Sequence, residues 1–453
     1  MMNYWPSILL VITCIIILFV KGKKEGAFAA FLIYLTFHFS YTFSIVLLGA
    51  SRGEYLQNRE LHSHLHGIIG GAFLLFLLLY IILRNQNTLI LKLKFEIWNK
   101  LTKIIAVLLL LLWLSFAIQQ FNEQQINILA FKNIISISLV FIFSFIFAML
   151  IENKKILYKN SIIIYGILIA IFSIAWALFE IQSNYAWART SLENGREVIR
   201  ANSIFYNPNV MGVWFAILGV WGLFLISKKR VILGGHMLLL LSATGLLLSG
   251  SRSSLILILI VILSNAAVLV LARQSIRTTL IASLSFVGQL GVLCALPFLK
   301  GGMIIGASFQ NSLQELAFRF IELPYILFLY VSGANMDDKY AAIMSINGRL
   351  QSGSSDNAYY TMITDSGVIG LLMFCCMSAY IFSLIVKAMI SKPGINEIYA
   401  FSIFLTIIAS GFMLRSFQVF PVWGIITVVL SLILSQIAQN KNNQKSSMIN
   451  TYS

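Results

Sequence analysis

Runs of about 20 apolar residues recur from one end of this chain to the other, and no other feature limits its fold so strongly. Coiled as a helix, such a run covers about 30 Å, the thickness of a bilayer's hydrocarbon core. The runs lie near 6–20, 27–50, 67–83, 104–120, 133–151, 161–179, 208–226, 231–248, 254–272, 278–299, 366–386, 397–414 and 419–437. They predict an all-α, polytopic integral membrane protein of about thirteen transmembrane helices. Of the 453 residues 59% are hydrophobic and only 11% charged, so a water-soluble globule could not hide its apolar side chains. A membrane barrel would alternate apolar and polar residues, and these runs do not. A single membrane domain over 1–453 is therefore expected, with a cytoplasmic tail at 439–453 and no separate soluble domain.

Charge sets the orientation. The net charge of +16 could indicate nucleic acid, but the basic residues sit in short clusters between apolar runs, where the positive-inside rule places them. No positive charge precedes the first run, and Lys21, Lys23 and Lys24 follow it, the reverse of a cleavable signal peptide. The first helix is expected to stay, with its N-terminus outside. Alternating the connections from there puts 20 of the 32 basic residues in the cytoplasm, 16 of them lysine; of the twelve outside, nine are arginine. A lysine serves as a point charge for topology, whereas a guanidinium fork grips phosphate through two hydrogen bonds. An arginine-rich outer face therefore points to an anionic ligand, although any one of these arginines could equally snorkel or pair with Glu180, Glu193, Glu197, Glu315 or Glu322.

The segment from Lys300 to Asp365, between spans 10 and 11, is the one long stretch too polar and too broken for lipid, and it is expected to form a large outer loop. Within it Leu313–Val331 is apolar but interrupted by Glu315, Arg319, Glu322 and Pro324, which favours an amphipathic helix on the outer leaflet over a further span. Three outer connections then feed helices that run inward. In Arg200-Ala201-Asn202-Ser203-Ile204-Phe205-Tyr206-Asn207-Pro208-Asn209, Asn207 is a natural N-cap and Pro208 suits the first helical position. Ser249-Gly250-Ser251-Arg252-Ser253-Ser254 is a tight turn whose free amides, hydroxyls and guanidinium form a phosphate nest. Ser354-Ser355-Asp356-Asn357 caps the helix entering the eleventh span. Each cap alone is ordinary helix punctuation; together, with Arg200 and Arg252 beside them, they describe an anion site at the membrane's outer edge.

An arginine before F-Y-N-P-N, a span, S-G-S-R-S-S opening another span, and a large loop ending in S-D-N-A-Y-Y and D-S-G-V-I-G resemble, in that order, the O-antigen polymerase and O-antigen ligase superfamily of bacterial envelopes. The resemblance covers residues 196–437, including the late R-S-F-Q-V-F-P. It implies a metal-independent, inverting glycosyltransferase of the inner membrane, needing no cofactor, whose active face is periplasmic. Its substrates would be undecaprenyl-diphosphate-linked oligosaccharides as donor and acceptor. Arg200 and Arg252 match the positions that hold the departing diphosphate. By the same resemblance Arg319 and Arg349 become phosphate or sugar contacts, joined by Asn207, Asn209, Ser251, Ser253, Asn357 and Tyr360.

One position departs from the ligase pattern. Ligases carry a histidine immediately before the motif's Asn, and this chain has Asp356. A carboxylate in reach of a sugar hydroxyl can act as the base, so the substitution favours polymerase over ligase; Asp365, Asp337 and Asp338 are the other carboxylates near this motif. A ligase passing glycan to lipid A core is the alternative enzyme, and a lipid-linked sugar transporter or flippase the alternative class. Transport predicts intramembrane charges lining a path, and here nearly all charges lie at span ends, with His38 and His236 the nearest exceptions. His62, His64 and His66 alternate on what reads as an outer loop and lack a third ligand at helical spacing, so no metal site is expected. Sugar identity, linkage, chain length and the binding of a chain-length regulator protein are not written in these motifs.

Overall fold

A computed structural model describes residues 5–20, 25–37, 52–93, 96–122, 128–150, 160–182, 189–193, 196–201, 203–205, 208–227, 231–271, 280, 283–284, 286–289, 358–391, 395–413, 423–424 and 426–435. The helices are α1 (Trp5–Val20), α2 (Glu25–Phe37), α3 (Arg52–Leu93), α4 (Glu96–Asn122), α5 (Ile128–Leu150), α6 (Asn160–Gln182), α7 (Pro208–Ser227), α8 (Ile232–Ser249), α9 (Arg252–Leu271), α10 (Ala358–Ser391) and α11 (Ile395–Met413), followed by the apolar helix α12 (Ile426–Ser435). Among the described residues six helices are long and apolar enough to cross a membrane, and five shorter apolar helices accompany them. The chain is thus helical and membrane-suited, as its apolar runs predict.

The all-α expectation holds with one local addition, and two further expectations are corrected. The strands β1 (Arg189–Glu193) and β2 (Arg196–Arg200) form a two-stranded antiparallel hairpin. These residues lie between apolar runs, where lipid does not force a helix. Next, α3 runs unbroken for 42 residues, about 63 Å at 1.5 Å per residue, twice the depth of the hydrocarbon core. His62, His64 and His66 are therefore on a helix and not in a loop. Finally, with α3 reaching Leu93 and α4 starting at Glu96, the connection expected over 84–103 shrinks to residues 94–95; polar residues in a helix's outer turns cost it little, so hydropathy alone ends a helix too early. Of the large loop expected over 300–365, residues 358–365 lie in α10; the rest of it, and the tail expected at 439–453, lie outside the described residues.

Small residues let the central helices touch. Gly222 and Gly235 bring α7 and α8 together so closely that a Cβ on Gly222 would sit 2.8 Å from the Gly235 carbonyl oxygen. Lipid gives helices no hydrophobic reason to associate, so close backbone approach and inter-helix hydrogen bonds carry the assembly. The Ser242 hydroxyl on α8 donates to the Phe215 carbonyl oxygen on α7 at 2.6 Å, and the Ser144 hydroxyl on α5 donates to the Thr427 carbonyl oxygen on α12 at 3.3 Å. Large rings fill the gaps: Phe31, Phe143 and Phe147 are fully buried and lie edge- or face-on to one another at 5.3 to 5.7 Å.

The packing also fixes which helix ends lie together. Ala201, just after β2, donates its N–H to the Leu248 carbonyl oxygen near the end of α8 at 3.1 Å, so α7 starts, α8 ends and α9 starts at the hairpin end of the bundle. At the opposite end Ser227, last in α7, shares a 2.7 Å hydroxyl–hydroxyl hydrogen bond with Tyr399 near the start of α11. The Tyr359 hydroxyl in the first turn of α10 donates to the Ile408 carbonyl oxygen late in α11 at 2.6 Å. Hence α10, like α7 and α9, begins at the hairpin end. Epitope tags inserted at Asn194 and at Gly353 will accordingly be reached by antibody from one side of the membrane and a tag at Lys229 from the other; tags at 194 and 353 on opposite sides would refute this arrangement.

Candidate functional site

Ala201 and the turn Ser203–Phe205, which lead from β2 into α7, are buried, which requires that their polar groups find partners. Glu180, near the end of α6 and only 4% exposed, accepts the Ser203 backbone N–H at 2.9 Å. The Ser203 hydroxyl donates to the Ser173 carbonyl oxygen at 2.7 Å. Ser203 holds φ at 51°, a left-handed conformation that a non-glycine residue keeps only when its surroundings enforce it. A single 3₁₀ turn, Ser203–Phe205, includes Ser203, and Phe205 packs against Trp214 in the second turn of α7 at 5.6 Å. Pro208 opens α7 as its sequence position predicts. The loop after Arg200 is therefore clamped to α6 on one side and α7 on the other.

The turn between α8 and α9 is built with equal economy. Gly250 takes φ 55° and ψ 22° and donates its N–H to the Leu247 carbonyl oxygen, a left-handed helix stop that favours glycine. The Ser249 hydroxyl donates to Leu246 at 2.7 Å and accepts the Ser251 N–H at 3.2 Å. Ser251 is the N-cap of α9, its carbonyl accepting the Leu255 N–H at 3.2 Å. Its hydroxyl lies 2.8 Å from that of Ser254 and donates to Oδ1 of Asn209 at 3.4 Å. At that contact Gly212 of α7 leaves room for the serines, since a Cβ there would stand 2.4 Å from the Ser254 hydroxyl.

Two of the three sequence motifs thus meet. Asn209 and Ser251 touch, Arg200 precedes the residue bonded to Leu248, and Arg252 opens α9 four residues beyond Leu248. The backbone positions of two arginines, Arg200 and Arg252, and the positive end of the α9 dipole thus lie at one end of the bundle. The backbone of Ser253 and Tyr360 lies in α9 and α10. Asn207, Arg319, Arg349, Asp356 and Asn357 lie outside the described residues.

The helix bearing the third motif starts at this same end and is broken. At Gly367 of α10 the backbone turns to φ 70° and ψ 179°, a conformation closed to other residues, so Ala358–Ser366 forms a short separate helix ahead of the long span. Neighbouring helices hold the break in place. Asp365, 8% exposed, accepts a hydrogen bond from the Asn133 amide of α5 at 2.7 Å. The Ser115 hydroxyl of α4 donates to the Ser366 carbonyl oxygen, just ahead of the break. Tyr359 lies ahead of the apolar span, and its burial pushes the phenol well above its ordinary range, so it stays a hydrogen-bond donor to Ile408.

Sequence reading missed the hairpin, the Glu180 clamp and the Asn133–Asp365 contact. The hairpin had a signal, Asn194-Gly195 between alternating flanks; the other two join residues 23 and 232 positions apart and leave no local trace. Among the described residues no three His, Cys, Asp or Glu side chains stand together as a metal site would need. No protein-family model matches the chain, and comparison with curated proteins finds no match.

Two substitutions check this architecture. Gly212→Val drives a branched side chain into Ser251 and Ser254 and will cost about 1–3 kcal/mol of stability, read as a lowered melting temperature in detergent. Asp365→Leu strands the Asn133 amide and will cost a similar ~1–3 kcal/mol, while Asp365→Asn, which keeps an acceptor oxygen, will melt closer to the wild type.

Proposed function

We propose that the chain is a bacterial lipid-linked glycan polymerase, a metal-independent inverting glycosyltransferase of the inner membrane working at its periplasmic face. The observation that carries this reading is the convergence of the Arg200–Asn209 loop and the Ser249–Ser254 turn through the Ala201–Leu248 hydrogen bond. It gathers, at one end of the bundle, the groups that a departing diphosphate needs in the absence of a metal: guanidinium cations and the positive end of a helix. The start of α10 at the same end supports the reading, because Asp356 and Asn357 directly precede it in the chain. On this reading there are thirteen spans, the chain crosses once between Leu271 and Ala358, near 278–299, and Leu313–Val331 lies along the outer leaflet.

In the proposed reaction a hydroxyl of the acceptor repeat unit attacks the anomeric carbon of the growing chain. As that bond forms, the anomeric bond to the lipid diphosphate breaks with inversion, and the hydroxyl proton passes to the Asp356 carboxylate. Arg200 and Arg252 stabilise the negative charge gathering on the leaving diphosphate. Asn209, Ser251 and Ser253 surround the phosphates with hydrogen-bonding groups, and Asn207, Arg319, Arg349, Asn357 and Tyr360 are assigned to sugar and phosphate contacts. The lipid tails enter laterally between helices.

Incubated with purified lipid-linked repeat unit, the wild type will give a polymer ladder on the lipid carrier. Arg200→Ala and Arg252→Ala will each lower its rate on the order of 10²–10³-fold, the loss seen when a transition-state charge loses one donor. Undiminished rates in both variants would remove the assigned roles; product formed only on lipid A core would move the chain to the ligases.

A further inference from the structure

The opening helix of α10, Ala358–Ser366, runs back into the bundle. Fifteen residues separate Tyr359 from Phe374, and an unbroken helix would hold them about 22 Å apart. Their rings instead meet edge-on, with centroids 6.1 Å from each other. The break at Gly367 therefore folds the short helix against the long one as an arm. Helix α5 gives the direction. Asn133 touches Asp365 beside the break, while Phe141, eight residues or about 12 Å farther along α5, packs on Phe374 at 6.2 Å. Tyr359 is thus the deep tip of the arm and Gly367 its shallow hinge. Ala358, Met362, Ile363 and Ser366 are 1% exposed or less, so neighbouring helices enclose the arm.

Separate helices hold its two ends. The hinge is fixed by Asn133 of α5 and Ser115 of α4. The tip rests on α11, where the Tyr359 hydroxyl donates to the Ile408 carbonyl oxygen at 2.6 Å. The Tyr359 ring lies flush on Gly411, where a Cβ would stand 2.9 Å from it. Phenylalanine would fill the same space, and a phenol is costly among apolar groups unless its hydroxyl has a partner. The hydroxyl accordingly does what packing alone does not: it sets how far the tip enters and how the arm is rotated. We propose that Ala358–Ser366 is a re-entrant arm and that Tyr359 is its positioning residue, placing the end of the outer loop for the transfer step. Asp356 and Asn357 directly precede the arm in the chain, so a shift of its tip passes to them through two peptide bonds. This deepens the polymerase reading and rests on it for the reaction; the docking of the arm on α11 does not.

Turnover of purified lipid-linked repeat unit by the full-length protein tests the role, expressed per folded molecule and paired with a melting curve in the same detergent. Tyr359→Phe will keep the ring contacts and melt close to the wild type. It will nonetheless lower kcat on the order of 10-fold with KM unchanged, because small misplacements near the chemistry are costly. Gly411→Ala, which pushes the ring off α11, will lower kcat in the same way, and the double variant will lose less than the two single losses combined. A merely structural role would lower the melting temperature and the folded yield while kcat per folded molecule stays at the wild-type value. That result, or an undiminished kcat in Tyr359→Phe, overturns the positioning role. Placement is read without activity: benzoylphenylalanine substituted at position 359 and irradiated will cross-link to α11 near Ile408 and Gly411 or to α10 near Phe374. Cross-links at neither place overturn the docked arm. A protein that cross-links as expected but makes no polymer would count against the enzymatic reading and leave the arm standing.

Discussion

The carboxylate of Glu180 accepting the Ser203 amide is the interaction on which the site depends. Backbone buried in a membrane bundle must have its hydrogen bonds met, and a helix does this alone while an irregular loop cannot. By accepting that amide, Glu180 allows the chain to leave β2, turn through a left-handed residue and enter α7 while remaining buried. The position of Arg200, the start of α7 at Pro208, and the reach of Asn209 to Ser251 all follow from that clamp. A charged group within a membrane protein is expensive unless it has such work, so its partner is the informative part of the observation.

Two further devices share this logic. Glycines at the α7–α8 contact and at Gly212 let backbones and short hydroxyls approach where lipid supplies no hydrophobic drive. Just ahead of the break at Gly367 the Ser115 hydroxyl donates to the Ser366 carbonyl oxygen, and Asn133 meets the adjacent Asp365. Irregular backbone in the bundle is therefore found where side chains from neighbouring helices satisfy it. Two such places among the described residues, the loop after β2 and the first part of α10, lie toward the hairpin end, while the regular helices between them serve as struts.

Much of the fold was legible in the chain because lipid reduces the choice of structure to helices, and apolar runs mark them. The start of α7 at Pro208 and the N-cap at Ser251 were legible for the same local reason: their chemistry lies within a few residues of the backbone they serve. The length of α3 was not, since Arg59, His62 and Arg84 end an apolar run without ending a helix. The hairpin was written in Asn194-Gly195, yet a reading governed by hydropathy passes over a short polar connection. What sequence cannot carry is the pairing of distant side chains. Asp365 was noted only as another carboxylate near the loop motif, and its contact with Asn133 arises from three helices packing.

The account's central claim is that one end of the bundle, where the Arg200 loop meets the turn before Arg252, is a diphosphate site. A cryo-electron microscopy map of the protein in nanodiscs with undecaprenyl diphosphate bound tests it most directly. The account predicts density for the two phosphates between β2 and the start of α9, within hydrogen-bonding distance of the Arg200 and Arg252 guanidinium groups. Phosphate density at the opposite end of the bundle, beside the lysines that follow α7, would contradict it.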